Sequence, residues 1–484
     1  MMLAVPIALP LLAGAVLPAF RWKRKAARNA YVLGMTVLAS LLLAWALAAP
    51  SQEPVELLRF TSRLTVSLKA DGLGRLFAVL IAVLWPLTTL YALEYMQGEA
   101  KQDSFFAFFL MSYGVTLGIA LSANLLTLYL FYELLSLSTL PLVMHGGSGA
   151  SVQAGLKYLY YSLGGAAFAF IGLVYLVYFG GTTDFAYGGL FTQVDIRHSA
   201  QLRLGYLLCF LGFSVKAAVF PLHGWLPTAS VAPTPVTALL HAVAVVKSGV
   251  FAIIRITYFS FGAALLQGSY AQHIPLALAA FTIVYGCAMA FRERHLKRRL
   301  AYSTVSNLSY ILFGALLLTP QGLAAGLMHL VFHALMKITL FLAAGVYMVK
   351  AQADDVRDLR GLGRSMGLTS GVFVLGSLAM TGIPPLIGFI SKWSLGVSAV
   401  TLGGALPVAG LVALLISAVL TGAYLMTPSF TLYTARRAEG AGEPEPLGLP
   451  MRITLLALAA AMVVLSFYNQ PLLDFLTRTA SGLM

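Results

Sequence analysis

Five charged residues each fall near the middle of a long apolar segment of this 484-residue chain: Glu133, Lys216, Lys247, Lys337 and Lys392. The surrounding sequence is 59% hydrophobic and only 10% charged. A charged side chain at the centre of a lipid bilayer costs about 2.5–3.5 kcal/mol on insertion scales. Because one chain carries five of them, we interpret these residues as a path for protons or cations through a helical membrane protein.

Apolar segments of membrane-spanning length make up most of the chain. About 20 apolar residues cross a bilayer as a helix. The sequence predicts an all-α polytopic membrane protein, a single membrane domain of about fourteen spans joined by short connections. The first segment, Met1–Phe20, has no basic residue before its apolar run, so we expect an anchor rather than a secretion signal. The predicted spans are 2–20, 30–50, 73–95, 104–122, 124–143, 154–180, 204–220, 234–257, 274–292, 300–318, 321–348, 367–400, 404–427 and 451–470.

Basic residues are divided unevenly between the two sides of the predicted membrane domain. Of the 31 lysines and arginines, 19 lie in or beside the loops after odd-numbered spans and 8 lie on the opposite side. Cytoplasmic loops are enriched in Lys and Arg. We therefore expect the odd loops in the cytoplasm, both chain ends outside, and a location in the cell membrane. This asymmetry accounts for the net charge of +14, so we do not expect nucleic-acid binding.

The chain has two cysteines, Cys209 and Cys287, and both lie inside apolar spans. There is no CxxC pair for an iron–sulfur cluster and no disulfide to infer. We expect no metal and no cofactor on this chain. Any redox chemistry would belong to another chain of its complex.

Two predicted spans contain prolines that interrupt a helix. Span seven runs through Lys216 to Pro221 and Pro227, and span twelve has Pro384 and Pro385 in its middle. Broken helices at membrane depth face protein or a wet cavity, and in transporters they flank the ion site. The two breaks lie five spans apart, as expected if spans four to eight and nine to thirteen are related halves.

Three extramembrane stretches are longer than the other loops. Residues 59–68, within Ser51–Gly72, alternate in polarity and predict a small hairpin on the outer face. Thr182–Arg203 is predicted as an outer loop. Ala435–Pro450 is rich in Gly, Pro and Glu and predicts a loop as well.

Glu133 has two interpretations. It could be a neutral carboxyl, or one bonded to a hydroxyl such as Ser136. Alternatively it pairs with Lys216, which lies at a similar depth, and the two opposite charges stabilise each other. A lysine that is alternately paired and unpaired can take up and release a proton. We favour the ion pair.

Titratable groups also recur at helical spacing. His329, His333 and Lys337 are four residues apart, which places them on one helical face with about 6 Å per step. Lys247 lies in span eight with His241 six residues earlier. The pattern suits a proton relay, because each group can donate and accept. The histidine pair could instead bind a metal or haem, but no third ligand accompanies it, or the face could simply bond to neighbouring helices.

Lys392 precedes Trp393 and follows the Pro384–Pro385 break. Near a helix end, its ammonium could extend to the membrane surface. The break favours an interior position. Polar neighbours of these charges, such as Ser303 and Asn307, could hold bridging waters or make ordinary interhelical hydrogen bonds.

These motifs closely resemble the antiporter-like subunits of respiratory complex I, a family shared with Mrp-type cation/proton antiporters and membrane-bound energy-converting hydrogenases. The matching stretches are Ser214–Pro227 (SVKAAVFPLHGWLP), Ala232–His241 (APTPVTALLH), Tyr132-Glu133-Leu134, Leu300–Ser306 (LAYSTVS), the His329/His333/Lys337 helix, and Gly382-Ile383-Pro384-Pro385 to Lys392.

The resemblance implies fourteen helices with two inverted five-helix repeats and discontinuous helices seven and twelve. The implied divisions are 1–103, 104–257, 274–427 and 451–484, the last being helix fourteen and a tail. In this family Glu133 and Lys216 match the ion pair near the input half-channel, Lys247 the central lysine and Lys392 the terminal lysine. His329, His333 and Lys337 match the polar axis between them.

The resemblance further implies that other integral membrane subunits assemble with this chain in the bilayer and that it moves H⁺, with Na⁺ or K⁺ as other candidate ions. His223 and the His241-x5-Lys247 spacing favour the hydrogenase-like and complex I-like members. A Mrp-type Na⁺(K⁺)/H⁺ antiporter subunit without a redox partner is the alternative.

Overall fold

Helices occupy all fourteen predicted spans in the computed structural model, which describes residues 2–20, 22–49, 53–191, 198–434 and 443–483. In this part of the chain, eleven helices are long and apolar enough to cross a membrane, and Gly367–Thr381 and Ile387–Leu402 are shorter apolar helices. The predicted all-α membrane fold is confirmed. The helices are α1 (Val5–Val16), α2 (Lys25–Ala48), α3 (Gly72–Tyr95), α4 (Gln102–Ala120), α5 (Leu125–Val143), α6 (Gly149–Tyr175), α7 (Ser199–Ser214), α8 (Trp225–Thr228), α9 (Thr234–Ala242), α10 (Val245–Arg255), α11 (Ala263–Leu266), α12 (Tyr270–Arg292), α13 (Leu296–Leu316), α14 (Pro320–Ala351), α15 (Leu362–Ser365), α16 (Gly367–Thr381), α17 (Ile387–Leu402), α18 (Ala405–Thr434), α19 (Leu449–Phe467) and α20 (Gln470–Ser481).

The centre of the molecule is formed by α9, α10 and α14. The most apolar window of α14 is 94% buried, and that of the segment Thr234–Phe261 is 100% buried. α14 begins where its sequence predicts, because Pro320 occupies its first turn and the Thr319 hydroxyl accepts a hydrogen bond from Gly322 N at 3.1 Å. These central helices carry most of the predicted titratable residues.

Both predicted helix breaks are present. α7 ends at Ser214 and α8 begins at Trp225, so Lys216, Pro221 and His223 lie in the non-helical segment between them and Pro227 lies in α8. α16 ends at Thr381, where Gly382 adopts a left-handed φ of 91° that glycine favours. Pro384 and Pro385 follow, and α17 begins at Ile387.

A third break interrupts the predicted eighth span. α9 ends at Ala242 and α10 begins at Val245, with Val243 at φ −135° and Ala244 at ψ −88°. The residues around it are Ala and Val, without the Gly or Pro that marks a break in sequence. Tertiary packing therefore sets this break, and the sequence did not predict it.

The predicted hairpin is confirmed on one side of the bundle. β1 (Val55–Arg59) pairs antiparallel with β2 (Thr65–Leu68). Asn124 joins this hairpin to the bundle, because its amide donates to the Thr65 carbonyl at 2.9 Å while its side-chain oxygen caps α5 at Thr127 N. Residues 192–197 and 435–442 of the two other predicted loops lie outside the described residues.

The C-terminal tail contains a helix that the sequence did not predict. α20 has Gln470, Asp474 and Arg478 on one side and buries Leu476 and Ala480 on the other. It packs against α14. Its polar residues led to the prediction of a non-helical tail. The burial of its apolar side stabilises the segment as an amphipathic helix.

A buried ion pair joins α3 to α10. Arg255 donates to both carboxylate oxygens of Asp71 at 2.5 and 2.8 Å, and Asp71 also caps α3 by accepting from Gly74 N. The Arg255 guanidinium lies 4.4 Å from the ring centroid of Phe259. Helical turns continue past Arg255 to Phe261, and Arg255 is completely buried.

Replacing Asp71 with Asn should destabilise the protein strongly, because the guanidinium would stay buried without its counter-ion. We expect a loss of about 3–5 kcal/mol in the free energy of unfolding, visible as a lower Tm of the detergent-solubilised protein. Arg59→Ala is the control, because its ion pair with Glu56 is exposed and should leave Tm unchanged. An unchanged Tm in Asp71→Asn would contradict the structural role of the pair.

Candidate functional site

The predicted buried charges lie inside the protein. Lys216, Lys247 and Lys337 are completely buried, whereas Glu133 and Lys392 are partly exposed. The Lys392 ammonium does not extend to the surface. It donates to the carbonyls of Met380 and Thr381 at 2.7 and 3.1 Å. Those carbonyls belong to the C-terminal end of α16, which carries a partial negative charge.

Lys216 contacts Tyr132 rather than Glu133. Its ammonium donates to the Tyr132 carbonyl and lies 3.4 Å from the centroid of the Tyr132 ring. Oε1 of Glu133 is buried and has no hydrogen-bond partner among the described residues. Consecutive residues on a helix point about 100° apart, so Tyr132 faces Phe213 of α7 while Glu133 lies on a more exposed flank of α5. The two predicted partners are neighbours without direct contact.

Lys247, His333 and His329 form a connected row. Lys247 donates to the Ala242 carbonyl at the third helix break, and its Nζ lies 3.2 Å from His333 Nδ1. The rings of His333 and His329 stack with centroids 5.9 Å apart. His329 Nδ1 lies 2.9 Å from the Ser391 hydroxyl, which directly precedes Lys392. The row therefore runs from Lys247 to Ser391, the neighbour of Lys392.

His329 holds its position through both ring nitrogens. Its Nε2 lies 3.2 Å from Asn307 Oδ1, and its ring stacks on Tyr310 at 5.0 Å between centroids. Two polar neighbours and an aromatic ring thus surround it. Its hydrogen bonds connect α14 to α13 and α17.

Lys337 and His241 lie beside this row. Lys337 donates to the Leu300 carbonyl of α13 at 3.0 Å. His241 stacks on Phe341 at 4.6 Å, and both of its ring nitrogens are buried with no hydrogen-bond partner among the described residues. Nε2 of His333 is also buried and has no hydrogen-bond partner among the described residues. Buried polar atoms usually have a partner, so these nitrogens mark places where a water molecule would be well bound.

His223 lies apart from the row, in the break between α7 and α8. Its ring packs at 4.9 Å from Tyr285 and 5.7 Å from Phe220. Close by, Lys157 Nζ donates to the Thr228 hydroxyl at 3.1 Å. These side chains belong to the end of the bundle that carries the basic run Arg292–Arg299, which we call the basic face.

Two residues of the site, Ser391 and Tyr310, were not predicted from the sequence. Ser391 links His329 to the segment of Lys392, and Tyr310 lies between His329 and Lys392, whose ammonium is 5.5 Å from the Tyr310 ring centroid. A hydroxyl beside a predicted buried lysine, as in Ser391-Lys392, is the signal that could have identified the first of them.

Broken helices and buried ionisable side chains in a polytopic helical protein are typical of the ion sites of membrane transporters. The family model described as NADH:quinone oxidoreductase/Mrp antiporter, TM, matches residues 122–421, and the chain belongs to this family. The predicted resemblance is confirmed.

Relatives and solved structures agree with this assignment. The chain is 32% identical to NADH-quinone oxidoreductase subunit N of Desulforudis audaxviator over 429 residues, covering 84% of this chain and 83% of that protein. It is 32% identical to an Na(+)/H(+) antiporter subunit of Alkalihalophilus pseudofirmus over 66% of this chain, but it spans only 41% of that protein. A chain in the structure of the membrane-bound sulfane sulfur reductase, an archaeal respiratory membrane complex, superposes with a TM-score of 0.88 at 26% identity, covering 100% of this chain and 98% of that one.

His333→Leu should interrupt the row between Lys247 and His329 without removing bulk from the core. We expect ion transport by membrane vesicles that contain the complex to fall about tenfold or more, measured with a pH-sensitive dye. His273→Leu is the control, because that histidine is exposed on α12. Normal transport by His333→Leu in an assembled complex would mean that the row does not carry the ion.

Proposed function

We propose that this chain is a proton-translocating subunit of a multi-subunit membrane complex, driven by a redox module on other subunits. The observation that carries the proposal is the row from Lys247 through His333 and His329 to Ser391, beside Lys392. Each member can release and accept a proton, and the row lies in the most buried part of the bundle.

In the proposed mechanism, protons enter from the basic face near Lys216, pass Lys247 and leave by Lys392. The enrichment of cytoplasmic loops in Lys and Arg supports a cytoplasmic location for this face, with both chain ends outside. The lysines rest on backbone carbonyls rather than on carboxylates. A lysine held in this way can lose its proton without leaving an unpaired carboxylate behind. Water bound at the unpartnered nitrogens of His241 and His333 would complete the row, with Lys337 beside it.

Glu133 would control the first step. A carboxylate close to an ammonium stabilises the charged form. Lys216 now contacts Tyr132, and Glu133 Oε1 is unpartnered among the described residues. A side-chain movement that brings Glu133 to Lys216 would hold a proton there, and its withdrawal would pass the proton on. Because the Glu133 flank is partly exposed, a neighbouring membrane protein of the complex could drive this movement.

Two similarities agree with a redox-driven complex, but a chain of the Mrp complex from Dietzia sp. also superposes over 99% of this chain and 97% of that one, so an end-to-end match does not separate the two candidates. The relative that aligns along most of both chains belongs to an NADH-quinone oxidoreductase. The superposed chain of the sulfane sulfur reductase comes from a respiratory complex and also matches end to end. The Na(+)/H(+) antiporter relative, by contrast, is more than twice as long as the part that this chain matches.

A Mrp-type Na⁺(K⁺)/H⁺ antiporter subunit without a redox partner is the second candidate, and the 32% identity to the Na(+)/H(+) antiporter relative favours it. The two inverted repeats, residues 104–257 and 274–427, would be common to both candidates. The breaks after α7 and α16, each followed by a buried lysine, support this division.

Lys216→Ala and Glu133→Ala should each abolish proton translocation while the complex still assembles. Proton uptake into inverted membrane vesicles measures the first effect, and a native gel measures the second. Lys101→Ala, on an exposed loop, is the control and should transport normally. Full transport in both buried variants would refute the proposal.

The two candidates differ in what drives transport. If the complex is redox-driven, chains with iron–sulfur or nickel–iron sites should co-purify with this protein. Proton uptake should then not require Na⁺ or K⁺. If an imposed Na⁺ or K⁺ gradient alone drives proton exchange and no redox chain is found, the antiporter candidate is correct.

A further inference from the structure

A second group of polar side chains lies between α12, α13 and α18, and it adjoins the row at Tyr310. Cys287 Sγ lies 2.9 Å from the Ser417 hydroxyl, 3.1 Å from that of Ser306 and 3.6 Å from that of Thr421. The Tyr310 hydroxyl donates to Ser417 at 2.9 Å. All five side chains are at most 1% exposed. We call these five residues the hydroxyl–thiol cluster.

The cluster differs from the ordinary hydroxyls of these helices. A serine in an apolar helix usually bonds to the carbonyl four residues earlier, as Ser429 does with Leu425 at 2.8 Å. Ser417 instead contacts side chains of two other helices, namely Cys287 of α12 and both Ser306 and Tyr310 of α13. The hydroxyls of Thr421 and Ser306 also donate to the backbone carbonyls of Ser417 and Ile283, both at 2.7 Å. Side-chain contacts therefore join the exchangeable protons of Tyr310, Ser417 and Cys287 most directly.

Tyr310 connects the cluster to Lys392. One face of its ring stacks on His329, the Lys392 ammonium lies 5.5 Å from its centroid, and its hydroxyl also contacts the Leu414 carbonyl at 3.3 Å. A cavity of about 470 Å³ is lined by Lys392, Gly382 and Leu414 among others. Most of its other lining side chains are apolar, and Tyr310 is not among them. Only the end of the cavity at Lys392 therefore suits bound water, which would link the Lys392 amine to the Tyr310 hydroxyl beside Leu414.

The other end of the cluster points to the basic face. One helical turn beyond Thr421, the Tyr424 hydroxyl donates to Ser303 at 2.6 Å. The Tyr424 carbonyl accepts from Arg299, a member of the basic run, at 2.8 Å. Hydroxyl groups therefore extend from Tyr310 to within a few residues of this face.

We propose that the hydroxyl–thiol cluster is a second proton relay, which reloads Lys392 from the basic face through Tyr310. Each hydroxyl or thiol would accept a proton from one neighbour while it donates its own to the next. No member changes its net charge, and the transferred proton ends on the Lys392 amine, which becomes an ammonium. This inference rests on the proposed function, because it needs Lys392 to release protons.

The test uses Tyr310→Phe and Ser417→Ala in vesicles that contain the whole complex. Tyr310→Phe removes only the hydroxyl and leaves the ring against His329, while Ser417→Ala removes the centre of the cluster. Each should lower proton transport about tenfold or more. Ser417→Thr, which keeps the hydroxyl, should retain most of the transport. Ser429→Ala, on the same helix, should match the wild type.

The double variant separates a relay from simple structural damage. Interrupting one relay at a second point should not lower proton transport further, so Tyr310→Phe/Ser417→Ala should transport at the rate of the slower single variant. If the two substitutions are instead independent packing defects, their effects on transport should add. Normal transport by both single variants, or additive losses in the double variant, would overturn the relay. If Ser417→Ala does not assemble on a native gel, Tyr310→Phe alone decides.

Lys216→Ala, measured in parallel, distinguishes the two proposals. If Lys216→Ala abolishes transport while Tyr310→Phe and Ser417→Ala resemble Ser429→Ala, the relay is wrong and the main function stands. If Lys216→Ala transports normally, the main function is wrong, and the relay falls with it.

Discussion

Backbone carbonyls hold the buried ammonium groups of this protein, and the helix breaks decide where two of them lie. Lys247 bonds to Ala242 at the end of α9, and Lys392 bonds to the last carbonyls of α16. At these two positions the breaks free carbonyl oxygens that a continuous helix would use for its own hydrogen bonds, and the freed oxygens accept from the ammonium groups. The breaks thus make buried lysines tolerable without neutralising them by carboxylates. Lys216 and Lys337 use carbonyls of the helices α5 and α13 instead.

An uninterrupted helix, α14, carries the histidines that lie between Lys247 and Lys392. α14 runs for 32 residues beside the broken segments and places His329 and His333 one turn apart. Broken neighbours supply carbonyls and lysines, and the continuous helix supplies the connecting imidazoles. Both kinds of helix are needed, because a relay requires fixed spacing as well as groups that can exchange protons.

The sequence predicts the spans, two of the three breaks and the histidine face, because each depends on local chemistry. Apolar length marks a span, proline ends a helix, and a spacing of four residues defines a helical face. The break at Val243–Ala244 could not be predicted, since alanine and valine carry no local signal and packing around α10 imposes it. Sequence also cannot distinguish Tyr132 from Glu133 as the neighbour of Lys216. The two residues are consecutive in α5, and the rotation of the helix about its axis determines which side chain faces α7. The contacts of Tyr310 and of Cys287 join distant segments of the chain, so no local pattern reveals them.

Replacing Lys247 with Gln tests the proposed proton path most directly. The measurement is the number of protons that the proposed complex moves per turnover of its driving reaction. Glutamine can still donate to the Ala242 carbonyl, but it cannot carry a proton along the row. If the row carries the protons, their number per turnover should fall while the complex remains assembled. An unchanged number would contradict this path, because protons would then cross without the central lysine.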